Sequence, residues 1–572
     1  MKRPIHLSAL AALLLVGGFL LLRKWGTSDA RQPQATAEVG ILSSNENVRI
    51  NPADSLQLAP QNIDSQVVES EKSIIPAIAE QVLKNLYLTY GDRQRPCPKL
   101  LFTDDNQGPR YRESAQTIVL DERSMEVCRS FGRDSVSALA FIIGHELVHF
   151  FHSKHHDHKA EYSYLVFDRG KHGDAEQERL ADVQGIFNAY LAGYRTTAIL
   201  PKVIAKLYES YQLKSKLDGY PSLSERQRTS AEVLATVDTL AQLYETANFL
   251  TAIGQYELAA ASYQYILRYY PGREVYNNLG ACHALHALFC SAKSPDAFQY
   301  PLEIDTDSRL TRPRARGGES ELTDSERALR KQLLLEAEKA LKTAGRLDPT
   351  YFPVDVNLLC VLALQGKSGE AVRHWDTHRI AASTKISATQ KNRARLALGI
   401  GLAQTSEAGE REQASRIFQD IAKQKADPAL ASMAAYNLKA LQNGFDEKPA
   451  AAPAFDCIKP FELEKVDGVS IHRISAMDGT ALPGTSGLSF SMKKLPSSTV
   501  VQFQRAGSPV LNFQRVVAKQ KIATPSLKGK RPQVVQTATG FFLICGEEHA
   551  AFLFSNDKNL TGWGRFYVFE NN

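Results

Sequence analysis

A chain of 572 residues is too long for one core and points to about three or four domains. With 43% hydrophobic and 23% charged residues it has the make-up of ordinary globular protein, which excludes collagen-like and wholly disordered classes. The net charge of +6 gathers into no basic block with interleaved aromatics, so nucleic-acid binding is not expected.

Lys2 and Arg3 precede an apolar run from Ile5 to Leu22, and Arg23 and Lys24 follow it. A run of about 18 residues just crosses a hydrocarbon layer and exceeds the usual apolar core of a cleaved signal. Residues 1–26 therefore read as a membrane anchor, with a signal cleaved at Ser28-Asp29-Ala30 as the alternative. Basic residues at both ends fix no orientation. Export of the body is the expectation for a single N-terminal segment, which puts it in the periplasm if the cell is Gram-negative. Residues 27–65, polar and without periodicity, read as a tether.

Helical patterning begins near Ile74, and the β-branched run Thr117 to Leu120 predicts a strand. Seven cysteines form no disulfide scaffold. Cys97 and Cys128 share the first globular domain, where an oxidising compartment would bridge them; two unpaired thiols are the alternative. A long apolar helix follows, opened by Asp134 or Ser135 as N-cap and running through SVSALAFIIGHELVHFF. Within it, His145-Glu146-Leu147-Val148-His149 is an HExxH motif. A spacing of four puts both imidazoles on one helix face, where they can grip one Zn²⁺, and Glu146 beside them can take a proton from the attacking water. From Val136 to Phe151 the only ionisable side chains are these three, and a carboxylate in so apolar a helix is costly unless a metal or a proton requires it.

Two imidazoles leave a catalytic zinc site one protein ligand short. A second helix is predicted from Ala175 to Leu191, and it offers Glu178 in Glu178-Arg179-Leu180-Ala181-Asp182, with Glu176 as the competitor. Ala181 and Gly185 are small enough to let this helix pack close against the first, and Asp182 would orient a ligand histidine. His152, His155, His156 and His158 crowd the end of the HExxH helix; a solvated helix terminus is the expectation, a second metal site the alternative.

HExxH on an apolar helix, followed by ExxAD, resembles the gluzincin peptidases, which include the CAAX prenyl endopeptidase, the bacterial membrane heat-shock protease and a periplasmic protease carrying tetratricopeptide repeats. The resemblance covers about residues 70–235 as peptidase and, loosely, the region behind it. It implies Glu178 as third zinc ligand. Tyr220-Pro221-Ser222-Leu223-Ser224-Glu225-Arg226 is similar to the family's His-Pro segment ending in Glu-Arg, but has Tyr220 where the family has His. Tyr220 and Arg226 stand beside Asp182 as candidates for orienting a ligand or donating to an oxyanion. The gap from His149 to Glu178 is also short for the family, implying a more open cleft. Similar peptidases bind substrate as an added strand, so the strand Thr117 to Leu120 is either such an edge or an ordinary core strand.

Beyond residue 238 the texture changes to paired helices. Ala259, Tyr263, Ile266 and Pro271 share their spacing with Ala337, Leu341, Ala344 and Pro349; Ala371 and the pair Ala414/Phe418 continue it less completely. This resembles the tetratricopeptide repeat. Asp305 to Glu321 interrupts the array and reads as a surface loop, and Cys282 and Cys290, eight residues apart on one helix, cannot bridge. After a linker at 448–455, short β-type runs (Ser498 to Phe503, Gly540 to Ile544, Phe566 to Phe569) predict a small β-rich domain over 456–572.

The expected architecture is multidomain: a mainly α, gluzincin-like α+β peptidase domain (66–238), an α-solenoid of tetratricopeptide-like hairpins (239–447) and the β-rich domain. The expected function is a membrane-tethered zinc metalloendopeptidase with one Zn²⁺ per chain, acting on protein or peptide substrates, with the repeats recruiting substrate or a partner protein. Envelope protein quality control is the task the resemblance implies. A latent or inactive peptidase serving as a repeat-based assembly factor is the alternative, and a zinc hydrolase of small molecules a third.

Overall fold

The computed structural model describes residues 65–153, 161–163, 175–213, 223–290, 298–304, 308–309, 323–378, 380, 386–443, 471–482, 487–516, 533–537, 540–545, 550–555 and 560–569. The anchor, nearly all of the tether, the 448–455 linker, Tyr220 and His155, His156 and His158 lie outside the described residues. The described chain is mostly helical with a C-terminal antiparallel sheet.

Helix α1 (Ser65–Tyr90) opens ahead of the expected start near Ile74. Ala79, Val82, Leu83, Leu86, Tyr87 and Tyr90 recur at three- and four-residue steps, and all are buried, which makes one apolar stripe along it. Strands β1 (Lys99–Thr103), β2 (Arg110–Arg112), β3 (Thr117–Asp121) and β4 (Glu161–Ser163) form a small sheet in the order β1-β3-β2-β4. The predicted strand is β3, and it is no free edge. It pairs parallel with β1 and antiparallel with β2, and each of its residues is buried. The edges are β1 and β4. A run of Thr-Ile-Val-Leu has apolar groups for both faces, which suits an interior strand.

After α2 (Glu122–Arg129), helix α3 (Ser135–His152) runs through the domain, buried continuously from Ala138 to Phe150. A helix apolar on every side needs cover on every side, and α1, α4 (Ala175–Leu191) and strands β2 and β3 supply it. Asp134 precedes it without a side-chain capping bond. At its other end Arg95 donates to the Phe150 carbonyl and lies 4.2 Å over the Phe150 ring. Among the described residues this stretch, Gly132–His152, is long and apolar enough to cross a membrane, and its burial makes it the core helix of a folded domain.

Helix α5 (Leu200–Ser210) leads to α6 (Leu223–Ala252), which runs straight through the boundary expected at 238. The first domain and the hairpin region therefore share a helix. Helical pairs follow: α7 (Tyr256–Ile266), α8 (Arg273–Cys290), α9 (Asp324–Leu347), α10 (Pro353–Leu364), α11 (Ser368–Thr377), α12 (Ala388–Ala403), α13 (Ala408–Ala422) and α14 (Pro428–Asn443). Ala259, Tyr263, Ile266, Ala337, Leu341, Ala344, Ala371, Ala414 and Phe418 are all fully buried where helices meet. A Cβ on Gly280 of α8 would come 2.6 Å from Leu341 Cγ of α9, so only glycine permits that approach.

Of Asp305 to Glu321, expected as a surface loop, only Ser308–Arg309 lie within the described residues, and these two form a strand. Strands β5 (Glu303–Ile304) and β6 (Ser308–Arg309) form a hairpin, and β6 pairs with β11 (Gln533–Thr537). That adds the hairpin to a ten-stranded sheet completed by β7 (Thr480–Ala481), β8 (Leu488–Lys494), β9 (Ser498–Arg505), β10 (Ser508–Val516), β12 (Gly540–Cys545), β13 (Ala550–Ser555) and β14 (Leu560–Val568). Strand alternation gives β9 and β10 two different faces. Phe513 and Phe542 meet Phe249 of α6 at 5.4 and 5.1 Å between ring centroids. On the other face Gln502, Gln504 and Asn512 are buried and hydrogen-bond to the main chain of residues 471–477.

Cys97, Cys128, Cys282, Cys290 and Cys360 are free thiols. Of these, Cys97 is exposed ahead of β1 and Cys128 is buried on the core side of α2 itself, so the bridge expected in an oxidising compartment is not made. Cys282 and Cys290 are free on the continuous helix α8.

Candidate metal centre

The crossing of α3 and α4 is set by two glycines. A Cβ on Gly185 would stand 2.7 Å from the Gly144 carbonyl carbon, and one on Gly144 would stand 3.0 Å from the Gly185 oxygen. The two backbones touch there, with Ala181 buried one turn away. Gly144 precedes His145, so the contact brings the HExxH turn against the Glu178–Asp182 turn. Two polar side chains hold α4 in this place: Asn188 donates to the Leu86 carbonyl of α1 at 2.9 Å, and Gln184 donates to the Tyr269 carbonyl at 2.7 Å. Gly185→Ala should destabilise the fold by about 1–3 kcal/mol, the usual cost of an added methyl with no room, measured as a lowered denaturant midpoint. An unchanged midpoint would show that the backbones can part.

Four side chains converge at this crossing. His145 Nε2 lies 3.0 Å from His149 Nε2 and 3.2 Å from Glu178 Oε2, and His149 Nε2 lies 3.4 Å from Glu178 Oε1. Their ligand atoms all fall within 4.8 Å of one another. Asp182 Oδ1 takes the far nitrogen of His145, Nδ1, at 2.8 Å, which turns Nε2 toward Glu178. Arg226 at the start of α6 is buried and pairs with Asp182 at 3.0 Å. It thereby acts on His145 through Asp182. His145, Glu146 and His149 are fully buried or nearly so, and Glu178 has 13% of its side chain exposed.

The electrostatics follow from this packing. Burial opposes charge on His145, but the hydrogen bonds it donates to Asp182 and Glu178 outweigh it and push its pKa up to about 10. For His149 burial dominates and lowers the pKa, while Glu178 is held well below the carboxylate range because the two imidazoles outweigh its own burial. No family model, curated protein or solved structure matches the chain.

Two imidazole nitrogens and a carboxylate, converging from two helices with a carboxylate behind one ring, are the donor set of a catalytic-type divalent site. The trio suits zinc on that chemistry. Of the sequence-predicted residues, His145, His149, Glu178, Asp182 and Arg226 come together, and Glu146 lies next to them on α3. The histidine cluster beyond contributes an exposed His152, and among the described residues it enters no group of metal-ligating atoms. Sequence reasoning passes over Gly144 and Arg95, although Gly144 immediately before the first histidine is readable as a close-contact position.

Proposed function

We propose that the chain is a zinc metalloendopeptidase, with His145, His149 and Glu178 as ligands and Glu146 as general base. The observation that carries this reading is the convergence of those three ligand atoms within 4.8 Å beside a fully buried glutamate. Zn²⁺, when bound, would supply a Lewis acid that polarises a peptide carbonyl and acidifies water. Glu146 then takes the proton of the attacking water and hands it to the leaving amine. Asp182 holds the tautomer and orientation of His145, and Arg226 holds Asp182. The paired helices, with small residues buried at repeated offsets, support a tetratricopeptide-like array that recruits a protein substrate or partner. Membrane tethering through residues 1–26, and a role in envelope protein quality control, complete the proposal.

A peptide-library digestion by the purified protein tests it: new termini should be generated, at internal bonds. If the protein cleaves nothing while Glu146→Gln and the parent restore a deletion strain equally, the assembly-factor reading replaces this one.

The proton balance gives a second test. Metal requires a neutral imidazole, and His145 alone of the three ligands has its pKa pushed above neutrality. Zinc binding at the α3/α4 crossing, read in the His374→Ala/His378→Ala background, should therefore release about one proton at pH 7 and tighten as pH rises toward 8. Calorimetry in buffers of different ionisation enthalpy measures this. A binding heat that is independent of buffer would contradict it.

A further inference from the structure

Among the described residues one other trio brings metal-ligating atoms together: Asp355 in the first turn of α10, with His374 and His378 four residues apart at the end of α11. His374 Nε2 lies 2.9 Å and His378 Nδ1 3.0 Å from the same oxygen, Asp355 Oδ1. The three ligand atoms stay within 4.8 Å of one another, as at the α3/α4 crossing, and the two rings are 4.1 Å apart between centroids. Four-residue spacing on a helix directs two imidazoles to one side, and the carboxylate arrives from the neighbouring helix. Donors about 2.1 Å from a shared tetrahedral ion stand about 3.4 Å apart, so an outward shift of a few tenths of an ångström would admit one.

The surroundings favour an ion. Asp355 and His374 have only 12% and 13% of their side chains exposed, whereas His378 reaches solvent at 38%, which gives an entry path. Burial would raise the Asp355 carboxyl, but hydrogen bonds from both histidines outweigh it and keep it an anion. A cavity of about 340 Å³ opens beside the trio, walled by Leu341, Tyr351 and Leu358, with room for water or another fourth ligand.

We propose that Asp355, His374 and His378 form a second metal site, specific for a divalent transition ion of the zinc type, which staples α10 to α11 inside the helical array. Two imidazoles select against Mg²⁺ and Ca²⁺, which take oxygen donors. The site is separate in the fold from the α3/α4 crossing and does not depend on what that crossing does.

Metal content after Zn²⁺ loading, with Co²⁺ titration followed by its visible absorption, tests the proposal on the full chain. His145→Ala/His149→Ala should keep one bound ion. His374→Ala/His378→Ala should carry one ion fewer than the parent, and the milder His378→Gln should weaken the same step tenfold or more with circular dichroism unchanged. Equal metal content in the parent and in well-folded His378→Gln and His374→Ala/His378→Ala would overturn the site and leave a hydrogen-bonded triad only. So would loss of every ion from a folded His145→Ala/His149→Ala protein.

Discussion

Glu146→Gln is expected to lower peptide hydrolysis by about 10²–10⁴-fold or more, the range a general acid–base group contributes, while metal content and helix content stay at parent values. Glu146 sits fully buried on α3 between the two histidines, in a helix packed on every side. Glutamine keeps the volume and one oxygen, so that packing tolerates it. Its amide cannot accept a proton near neutral pH, so the nucleophile is not generated and the leaving amine receives no acid. Steady-state cleavage of a fluorogenic peptide, with zinc content measured on the same preparation, reads both halves of the expectation. Parent-level cleavage by this variant would remove Glu146 from the mechanism.

Glu178→Ala should lose most of the bound metal at the α3/α4 crossing, and Glu176→Ala should keep it. Replacing a partner behind a ligand typically costs about 10–100-fold in affinity, and deleting one of three ligands should exceed that. Glu178 reaches both ring nitrogens, at 3.2 and 3.4 Å, from one turn ahead of Asp182. A helix turns about 200° over two residues, so the two glutamates cannot both serve as the third ligand. The comparison is made by competition with a colorimetric chelator, which reports affinity site by site when His374→Ala/His378→Ala is the common background. Retention of metal by Glu178→Ala with loss in Glu176→Ala would reverse the assignment.

Local chemistry makes much of the α3/α4 crossing legible in the sequence. The continuous apolar run from Val136 to Phe151 fixes a buried helix, HExxH within it places two rings on one side, and the small residues Ala181 and Gly185 mark the face of α4 that meets it. What local pattern does not supply is pairing at a distance. Thr117 to Leu120 reads as a strand, but its position between β1 and β2 depends on partners that its own residues do not name. Glu303–Ile304 and Ser308–Arg309 are two-residue strands, too short for periodicity, and they become strands by meeting β11. The change of texture near residue 238 suggests a boundary, whereas α6 carries one helical pattern across it: Arg226 serves Asp182 at one end and Phe249 packs under the sheet at the other. Likewise, His374 and His378 have the spacing of a metal chelate in the sequence, but Asp355 joins them only because α10 and α11 pack together.

Stripping metal from the purified protein with a chelator and returning Zn²⁺ while peptide cleavage is followed shows whether the metal carries the hydrolysis. Cleavage should vanish in the stripped protein and return with Zn²⁺, in the parent and in His374→Ala/His378→Ala alike, but never in His145→Ala/His149→Ala. Cleavage that persists after the metal is gone, or that survives loss of both HExxH histidines, would contradict the account.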